Sequence, residues 1–519
     1  MPLAPLQEGL LFHALYDAQA PDIYMVQLEL GLEGALDSDR MAAAVQALVA
    51  RHASLRARFR HEHLGRPVQI IVPDATVPWR CIDLSSLDAA GREGRLAAVL
   101  AQERAARFDL AGAPLVRFAL IRLAGDQHRL VLTNHHIVMD GWSMPVLVRE
   151  LLTLYAHRGD AAVLPRVTPY RDYLAWMAGQ DRSAARAAWR EALAGLEEAT
   201  RLAPHDPGRA PVAPEQMRLA LSATLTTALT AQARQHGLTL NTLIQAGWAI
   251  LLGRMTGRED VVFGVTVSGR PPEIAGIESM VGLFINTLPL RVQLPPGTAL
   301  LELLRQVQND QSKLMEHQHL GLAEVQGLAG LGELFDTLVV FENYPVDRAG
   351  LTAQVGGLRL TDFRGLDATH YPLSLAAHPG ERLQLQLSYR PDLFDRASVE
   401  AIAGRLVRLL EGAVADPDRA IGRLDILGAG ERHTILREWN ATARAIPVAT
   451  LPELFAAQVA RTPEADAVVF EDERLSYGEL DARSSQLAHH LRALGVGPEV
   501  VVGLCIERSL AMLVGLLGI

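Results

Sequence analysis

The sequence predicts an α/β protein made of two successive α/β units, with a shorter third segment after them. Three observations predict it. Runs of strand period alternate with runs of helical period through residues 1–437. A break at 165–169, followed by a Pro-rich stretch at 202–214, interrupts that alternation once, after which it restarts. A short polar stretch at 438–450 then reads as a linker, and a new apolar pattern begins at Leu451. At 519 residues the chain also exceeds one ordinary domain, which spans roughly 50–250 residues. The expected division is 1–175, 176–437, the linker 438–450, and 451–519.

Each element has its own justification. Residues 23–30 read as a strand, and 38–52 as a helix with alanines and leucines on one face. Residues 115–123 and 128–135 form a hairpin pattern closed by the turn residues Ala124-Gly125-Asp126-Gln127. Ser143 suits an N-cap and Pro145 a first helical turn; Val146, Leu147, Leu151, Leu152 and Tyr155 follow at helical spacing. Helices near 170–177 and 182–194 lead to the Pro-rich stretch. In the second unit, Leu219 and Leu221 mark a strand, 224–236 a helix and 239–255 a more apolar, buried helix. Strands are expected at 261–267 and 284–292, a long helix at 300–316, strands at 337–342, 371–377 and 383–389, and a closing helix at 396–413.

Composition sets the outer limits. Apolar residues make up 49% and charged residues 21%, as in a soluble globular protein with a large core. The net charge of −10 comes without a block of like charges, so nucleic-acid binding has no electrostatic support. The excess of arginine over lysine and the abundant alanine suggest a GC-rich bacterial gene. Cys81 and Cys505 are far apart and match no metal-ligand spacing, which fits a reducing cytoplasm rather than a disulfide framework. The start, Met1-Pro2-Leu3-Ala4-Pro5, has no signal-peptide pattern, and the most apolar runs are too short to span a bilayer.

The most informative run is Asn134-His135-His136-Ile137-Val138-Met139-Asp140-Gly141-Trp142-Ser143. Successive residues on a strand point to opposite faces, so only one of His135 and His136 can face a given cleft. A single histidine at a strand end is ordinarily a satisfied core residue. A pair followed by Asp140-Gly141 and a helix start favours a functional imidazole, and His136, nearer the turn, is the expected active one. Metal binding is the less favoured reading, because no partner cluster with ligand spacing accompanies the pair. Asp140 is either a proton acceptor or the anchor of the turn. The anchor is preferred, and a buried carboxylate there needs a cation; Arg291 and Arg56 are the candidates. Gly141 supplies a φ > 0 conformation or an exposed N–H. The free N–H groups of the helix beginning at Ser143 would point back at the turn and could stabilise an oxyanion beside His136.

The 135–141 run resembles the HHxxxDG signature of the condensation domains of nonribosomal peptide synthetases. The likeness extends along the chain through Pro5-Leu6-Gln7-Glu8-Gly9-Leu10-Leu11-Phe12-His13, Arg51-His52-Ala53-Ser54-Leu55-Arg56-Ala57-Arg58-Phe59 and Tyr170-Arg171-Asp172-Tyr173-Leu174-Ala175-Trp176. It continues through Val281-Gly282-Leu283-Phe284-Ile285-Asn286-Thr287-Leu288-Pro289-Leu290-Arg291, His317-Gln318-His319 and 335–345. Their number and order carry the resemblance. It implies two chloramphenicol-acetyltransferase-like lobes in a V, a tunnel between them, and the histidine motif at its centre. The fifth motif would reach from the second lobe to the first, which favours Arg291 over Arg56 as the partner of Asp140. Trp142, Asn286 and Asn343 become candidates for lining the tunnel.

The implied activity is peptide-bond formation between a donor peptidyl thioester and the α-amine of an acceptor aminoacyl thioester. Both would ride on phosphopantetheine arms, one on an upstream donor carrier protein and one on a downstream acceptor carrier protein. No cofactor bound by the chain itself is implied. Gln7-Glu8-Gly9, Met139 and Phe341-Glu342-Asn343-Tyr344-Pro345 resemble the subtype whose donor ends in a D-residue. Residues 451–519, with Leu475-Ser476-Tyr477-Gly478-Glu479-Leu480, resemble the start of an adenylation domain, covalently linked and truncated at Ile519 before any phosphate loop. That segment is expected neither to bind ATP productively nor to activate an amino acid. Rival readings are an epimerization domain, a free-standing acyltransferase using coenzyme A, and a catalytically silent docking scaffold. The histidine pair, where cyclisation domains carry aspartates, argues against cyclisation.

Overall fold

The structure, a computed structural model, describes residues 1–16, 22–204, 212–343 and 354–519. It divides into two compact units, Met1–Gly428 and Ala429–Ile519.

The first unit contains two lobes. The N-terminal lobe contributes β1 (Met25–Glu33), β2 (Ala57–Arg60), β3 (Val68–Ile71), β4 (Trp79–Asp83), β5 (Val116–Ala124) and β6 (Gln127–His135). The expected hairpin is β5–β6, closed by a tight turn in which Gly125 takes φ +53°. The helix Ser38–Arg51 is capped by Asp37, whose carboxylate accepts the N–H groups of Asp39 and Arg40. It buries Met41, Ala44, Val45, Leu48 and Val49, of which the larger side chains each stabilise by about 1.5–3 kcal/mol. It packs on the helix Ser143–Ala156.

The C-terminal half of this unit contributes β7 (Glu215–Ala220), β8 (Asp260–Val267), β9 (Asn286–Gln293), β10 (Thr337–Phe341), β11 (Arg359–Leu366), β12 (Leu373–His378) and β13 (Gln384–Tyr389). All but β11 form one sheet of order β7-β13-β12-β10-β8-β9. The helix Leu240–Thr256 has almost no polar face because it is buried nearly throughout. Thr239 caps its start, and Gly257 ends it in the left-handed region at φ +70°. Each lobe has its own core.

The lobes are not two continuous stretches of chain. The strand β11 leaves the C-terminal lobe and pairs antiparallel with β1, giving the N-terminal sheet the order β11-β1-β6-β5-β4. The sequence shows β11 poorly: most of its residues are exposed, Phe363 among them, so no apolar alternation marks it. Val281 and Leu283, from the C-terminal half, sit in the N-terminal core as a second crossing.

A buried ion-pair network ties Arg51 and His52, at the end of one helix, to Glu150 in another. Arg51 Nε lies 2.9 Å and His52 Nε2 2.7 Å from its carboxylate. Burial pushes the Glu150 carboxyl up, but His52 and Arg51 outweigh it and hold it below the ordinary value of 4.5. A depressed carboxyl stabilises the fold above its unfolded pKa and loses that contribution as pH falls through the folded one. Urea unfolding at a series of pH values should therefore show wild type losing stability below about pH 4.5 more steeply than Glu150→Gln.

The second unit is a small α/β fragment. Its helices Leu451–Arg461 and Tyr477–Ala493 each begin with a capping box, Thr450 with Glu453 and Ser476 with Glu479. A hairpin of β14 (Asp466–Phe470) and β15 (Glu473–Ser476) packs with them and with the helix Leu510–Gly518 around Leu475, Leu480 and Leu510. Residues 429–438 are helical, and 439–450, nearly the whole of the expected linker 438–450, carry neither helix nor strand. No helix among the described residues is long and apolar enough to cross a membrane.

Candidate active site

The histidine motif is built by the end of β6. His135 is the last strand residue, and His136–Val138 form a single 3-10 turn whose Ile137, Val138 and Met139 are buried in the N-terminal core. That apolar anchor leaves the two imidazoles on opposite sides. His135 is fully buried. Its Nδ1 accepts the Ile137 N–H at 3.1 Å, which places its proton on Nε2, 3.3 Å from the Asp22 carboxylate. Burial pushes the Asp22 carboxyl up, but the bond to His135 prevails and holds it below the usual carboxylate range. His135 thus shapes the turn.

His136 faces a cavity of about 2660 Å³ lined by both lobes. Its backbone N–H donates to the Tyr24 carbonyl at 2.9 Å, and its ring is half-buried. Its Nδ1 is buried with no hydrogen-bond partner among the described residues, so nothing there fixes its tautomer. Helix Pro5–Tyr16 holds the turn from outside: the buried Gln7 donates to the Ile137 carbonyl at 3.0 Å and accepts the Ala4 N–H at 2.8 Å. That is the physical use of the Gln7-Glu8-Gly9 string, to which the sequence assigned no structural role.

Asp140 is the anchor of the turn. It is 1% exposed. Its Oδ1 accepts the Ser143 N–H at 3.0 Å and the Ser143 hydroxyl at 2.8 Å; its Oδ2 accepts the Phe284 N–H at 3.0 Å. Its cation is Arg270, 3.0 Å away and itself buried. Neither expected arginine plays this part. Arg291 lies five residues beyond the start of β9, roughly 16 Å along an extended strand, and pairs with Asp260 at 2.7 Å. Arg56 donates to the carbonyls of Val72 and Pro73. The fifth motif does cross between the lobes, but through its first residues: Asp140 N–H donates to the Gly282 carbonyl and Ser54 to that of Val281.

Arg270 was not singled out from the sequence. A signal existed in Ser268-Gly269-Arg270-Pro271-Pro272, a turn-forming string around a lone arginine. Gly269 has φ +59°, and a Cβ there would stand 1.8 Å from the Phe284 carbonyl oxygen. Only glycine lets the chain approach closely enough to deliver Arg270.

The start of helix Ser143–Ala156 also differs from expectation. Ser143 is its first residue rather than its cap, and it is buried, accepting the Gly282 N–H. Asp140 takes the Ser143 N–H, and the Gly141 carbonyl accepts the Met144 N–H. These first donors are occupied by the turn, so they are not the oxyanion site the sequence suggested.

The remaining expected residues do line the cavity. Gly141 and Trp142 border it beside His136. Trp142 Nε1 donates to the Glu278 carbonyl at 3.0 Å, with the Arg270 guanidinium 5.5 Å from its ring centroid. Asn286 donates to the carbonyls of Gln318 and Leu320 at 2.8 and 2.6 Å, which ties β9 to the approach of the helix Leu322–Ala329. Asn343 borders the cavity after β10; Tyr344 and Pro345, from the same motif, lie outside the described residues. An aromatic group stands nearby: the Tyr24 hydroxyl is 2.6 Å from His370 Nδ1, and the His13 ring is 4.4 Å from that of His370. Water reaches His370 through the wide cleft, but protein surrounds it on its other sides. The protein on those sides, with His13 adding to it, holds the imidazole below its ordinary value.

Comparison with known proteins follows the same division. A family model described as "Condensation domain" matches residues 1–436, and one described as "AMP-binding enzyme" matches 455–519. The chain is 37% identical over 527 residues to bacitracin synthase 3 of Bacillus licheniformis, a match covering 100% of this chain and 8% of that protein. It is 36% identical over 525 residues to tyrocidine synthase 2 of Brevibacillus parabrevis, covering 100% of this chain and 15% of that one. The chain thus spans well under a fifth of the length of either relative. A solved structure of the first condensation domain of the calcium-dependent antibiotic synthetase, in complex with a substrate analogue, matches with TM-score 0.67 and 25% identity over 82% of this chain and 99% of that one. The X-domain from teicoplanin biosynthesis matches with TM-score 0.70 and 27% identity over 82% and 97%.

Proposed function

The chain belongs to the condensation-domain family through residues 1–436, and from that premise we propose that it forms peptide bonds in nonribosomal peptide synthesis. Its two lobes have the chloramphenicol-acetyltransferase-like α/β plan of that family. The donor is a peptidyl or aminoacyl thioester, the acceptor an aminoacyl thioester, and each is carried on the phosphopantetheine arm of a carrier protein. The upstream carrier brings the donor and the downstream carrier the acceptor. The segment matching the AMP-binding family at 455–519 belongs to the linked adenylation domain. A cytoplasmic setting goes with this reading.

One observation carries the proposal: His136 faces a cavity built by both lobes, while the other titratable groups of its motif, His135 and Asp140, are buried and paired. A large two-walled cleft suits two long flexible arms meeting end to end. An unperturbed α-amino group has a pKa of about 7.7–8.0, so a useful fraction is neutral near pH 7. His136 therefore need not generate the nucleophile. It orients the amine and takes its proton as the C–N bond forms; the C–S bond then breaks and the leaving thiolate is protonated. His135, Asp140, Gly141, Ser143 and Arg270 keep that imidazole in place.

The test is a two-carrier condensation assay offering D- and L-terminated donors in parallel, with products read by mass spectrometry. The proposal expects peptidyl product on the acceptor carrier, with the D-terminated donor preferred. Absence of product from either donor would refute it, and preference for the L-donor would refute the subtype.

A further inference from the structure

Strands from both sheets end at one place in the cleft. β6 ends at His135 and is followed by His136; β11 ends at Leu366 and is followed by Asp367. β10 ends at Phe341, followed by Glu342, and β12 ends at His378. All four of these titratable residues, His136, Asp367, Glu342 and His378, line the same cavity. The register explains how Asp367 arrives. Gln27 of β1 faces Thr133 of β6 on one side and Leu366 of β11 on the other. β6 and β11 therefore run in the same direction, two strand spacings or about 10 Å apart, with β6 continuing two residues, about 7 Å, further to its end opposite Met25. Side chains of ordinary length close most of that gap.

The four groups are not equivalent. Glu342 is engaged by His378, whose Nδ1 is 3.0 Å away. His378 is drawn upward by that bond, and Arg218, on β7, opposes the rise. Asp367 is held from behind, its carbonyl accepting from Gln216, and its carboxyl meets the charges of Glu342, His136 and His378. We propose that Asp367 is the electrostatic partner of His136. Its carboxylate, delivered by the strand that crosses between lobes, stabilises the imidazolium that His136 becomes on accepting the proton of the attacking amine. The balance is complete within the reaction already proposed. The amine nitrogen bonds to the thioester carbon and gives its proton to His136; the C–S bond breaks and the thiolate leaves with that proton. Asp367 opens to the cleft, yet the surrounding protein and the neighbouring Glu342 raise its carboxyl above the usual range, while His136 and His378 oppose that rise. Such a group favours its anionic form most when the imidazole beside it becomes charged.

This inference rests on the proposed peptide-bond formation, and the experiment separates the two. Single-turnover condensation by the full chain is measured for wild type, His136→Ala, Asp367→Asn and Asp367→Glu, with both loaded carriers varied. Asp367→Asn should lower kcat about 10²-fold, the lower end for a general acid–base contribution. KM for each carrier should stay within about threefold, because the interaction is made only as charge develops. Asp367→Glu should recover about tenfold of the loss, and the melting temperatures should match wild type. Asp367→Asn with wild-type kcat, a loss confined to KM, or Asp367→Glu no better than Asp367→Asn would overturn the inference while leaving the function intact. No product from wild type would overturn both.

Discussion

His136→Ala is expected to lower turnover by about 10²–10⁴-fold, the usual contribution of a positioned acid–base group. The ring is half-buried at the cavity wall and its Nδ1 has no partner among the described residues, so its removal should leave the turn standing. Ile137, Val138 and Met139 remain buried, and Gln7 still holds the Ile137 carbonyl. Carrier affinity should therefore be unchanged. Rapid-quench kinetics would read the rate and fluorescence anisotropy the binding of each carrier. Turnover near that of wild type would remove His136 from the chemistry. Loss of carrier binding would show that the substitution acts on docking.

The second large effect is on stability. Asp140→Ala should destabilise the first unit by about 3–5 kcal/mol, because it leaves the buried Arg270 as an unpaired charge. The Phe284 N–H loses its acceptor in the same step, which loosens the crossing between lobes. Arg291→Ala is the control that separates this structure from the pairing expected on sequence grounds. Its partner Asp260 is 34% exposed and stands on β8 rather than in the motif, so the loss should be smaller, nearer the ~1 kcal/mol of a partly exposed pair. Urea unfolding followed by intrinsic fluorescence ranks the two variants. Arg291→Ala as damaging as Asp140→Ala would contradict the placement of Arg270.

Much of this was legible in the sequence, for reasons that differ from element to element. Periodicity located the β5–β6 hairpin and most helices of both lobes within a few residues, because each buries a face against its own neighbours, but it did not mark the helices Pro5–Tyr16, Ala89–Ala105 and Leu322–Ala329. The alternation of strand side chains allowed only one of the pair to face the cleft, and its place nearer the turn pointed to His136. What escaped depends on contacts between distant segments. β11 carries little apolar alternation, since its partner is a strand at the other end of the first unit. Arg270 was hidden because a cation's partner is fixed by how a turn is aimed, which Gly269 decides through its close approach to Phe284. Ser143 looked like a cap by its position before a helix, yet a carboxylate three residues earlier takes its N–H. Asp367 stood outside every string that drew attention and becomes visible only through the register of β1 with its two neighbours.

The central claim is that the donor's acyl group moves, within the cleft, onto the amine held by the second carrier. Intact-protein mass spectrometry of both carriers after a single turnover tests it most directly. The account predicts that the donor carrier loses its acyl mass and the acceptor carrier gains the same mass, with neither change in His136→Ala. An acyl mass still on the donor carrier after turnover, or lost from it as free acid with nothing added to the acceptor, would contradict it.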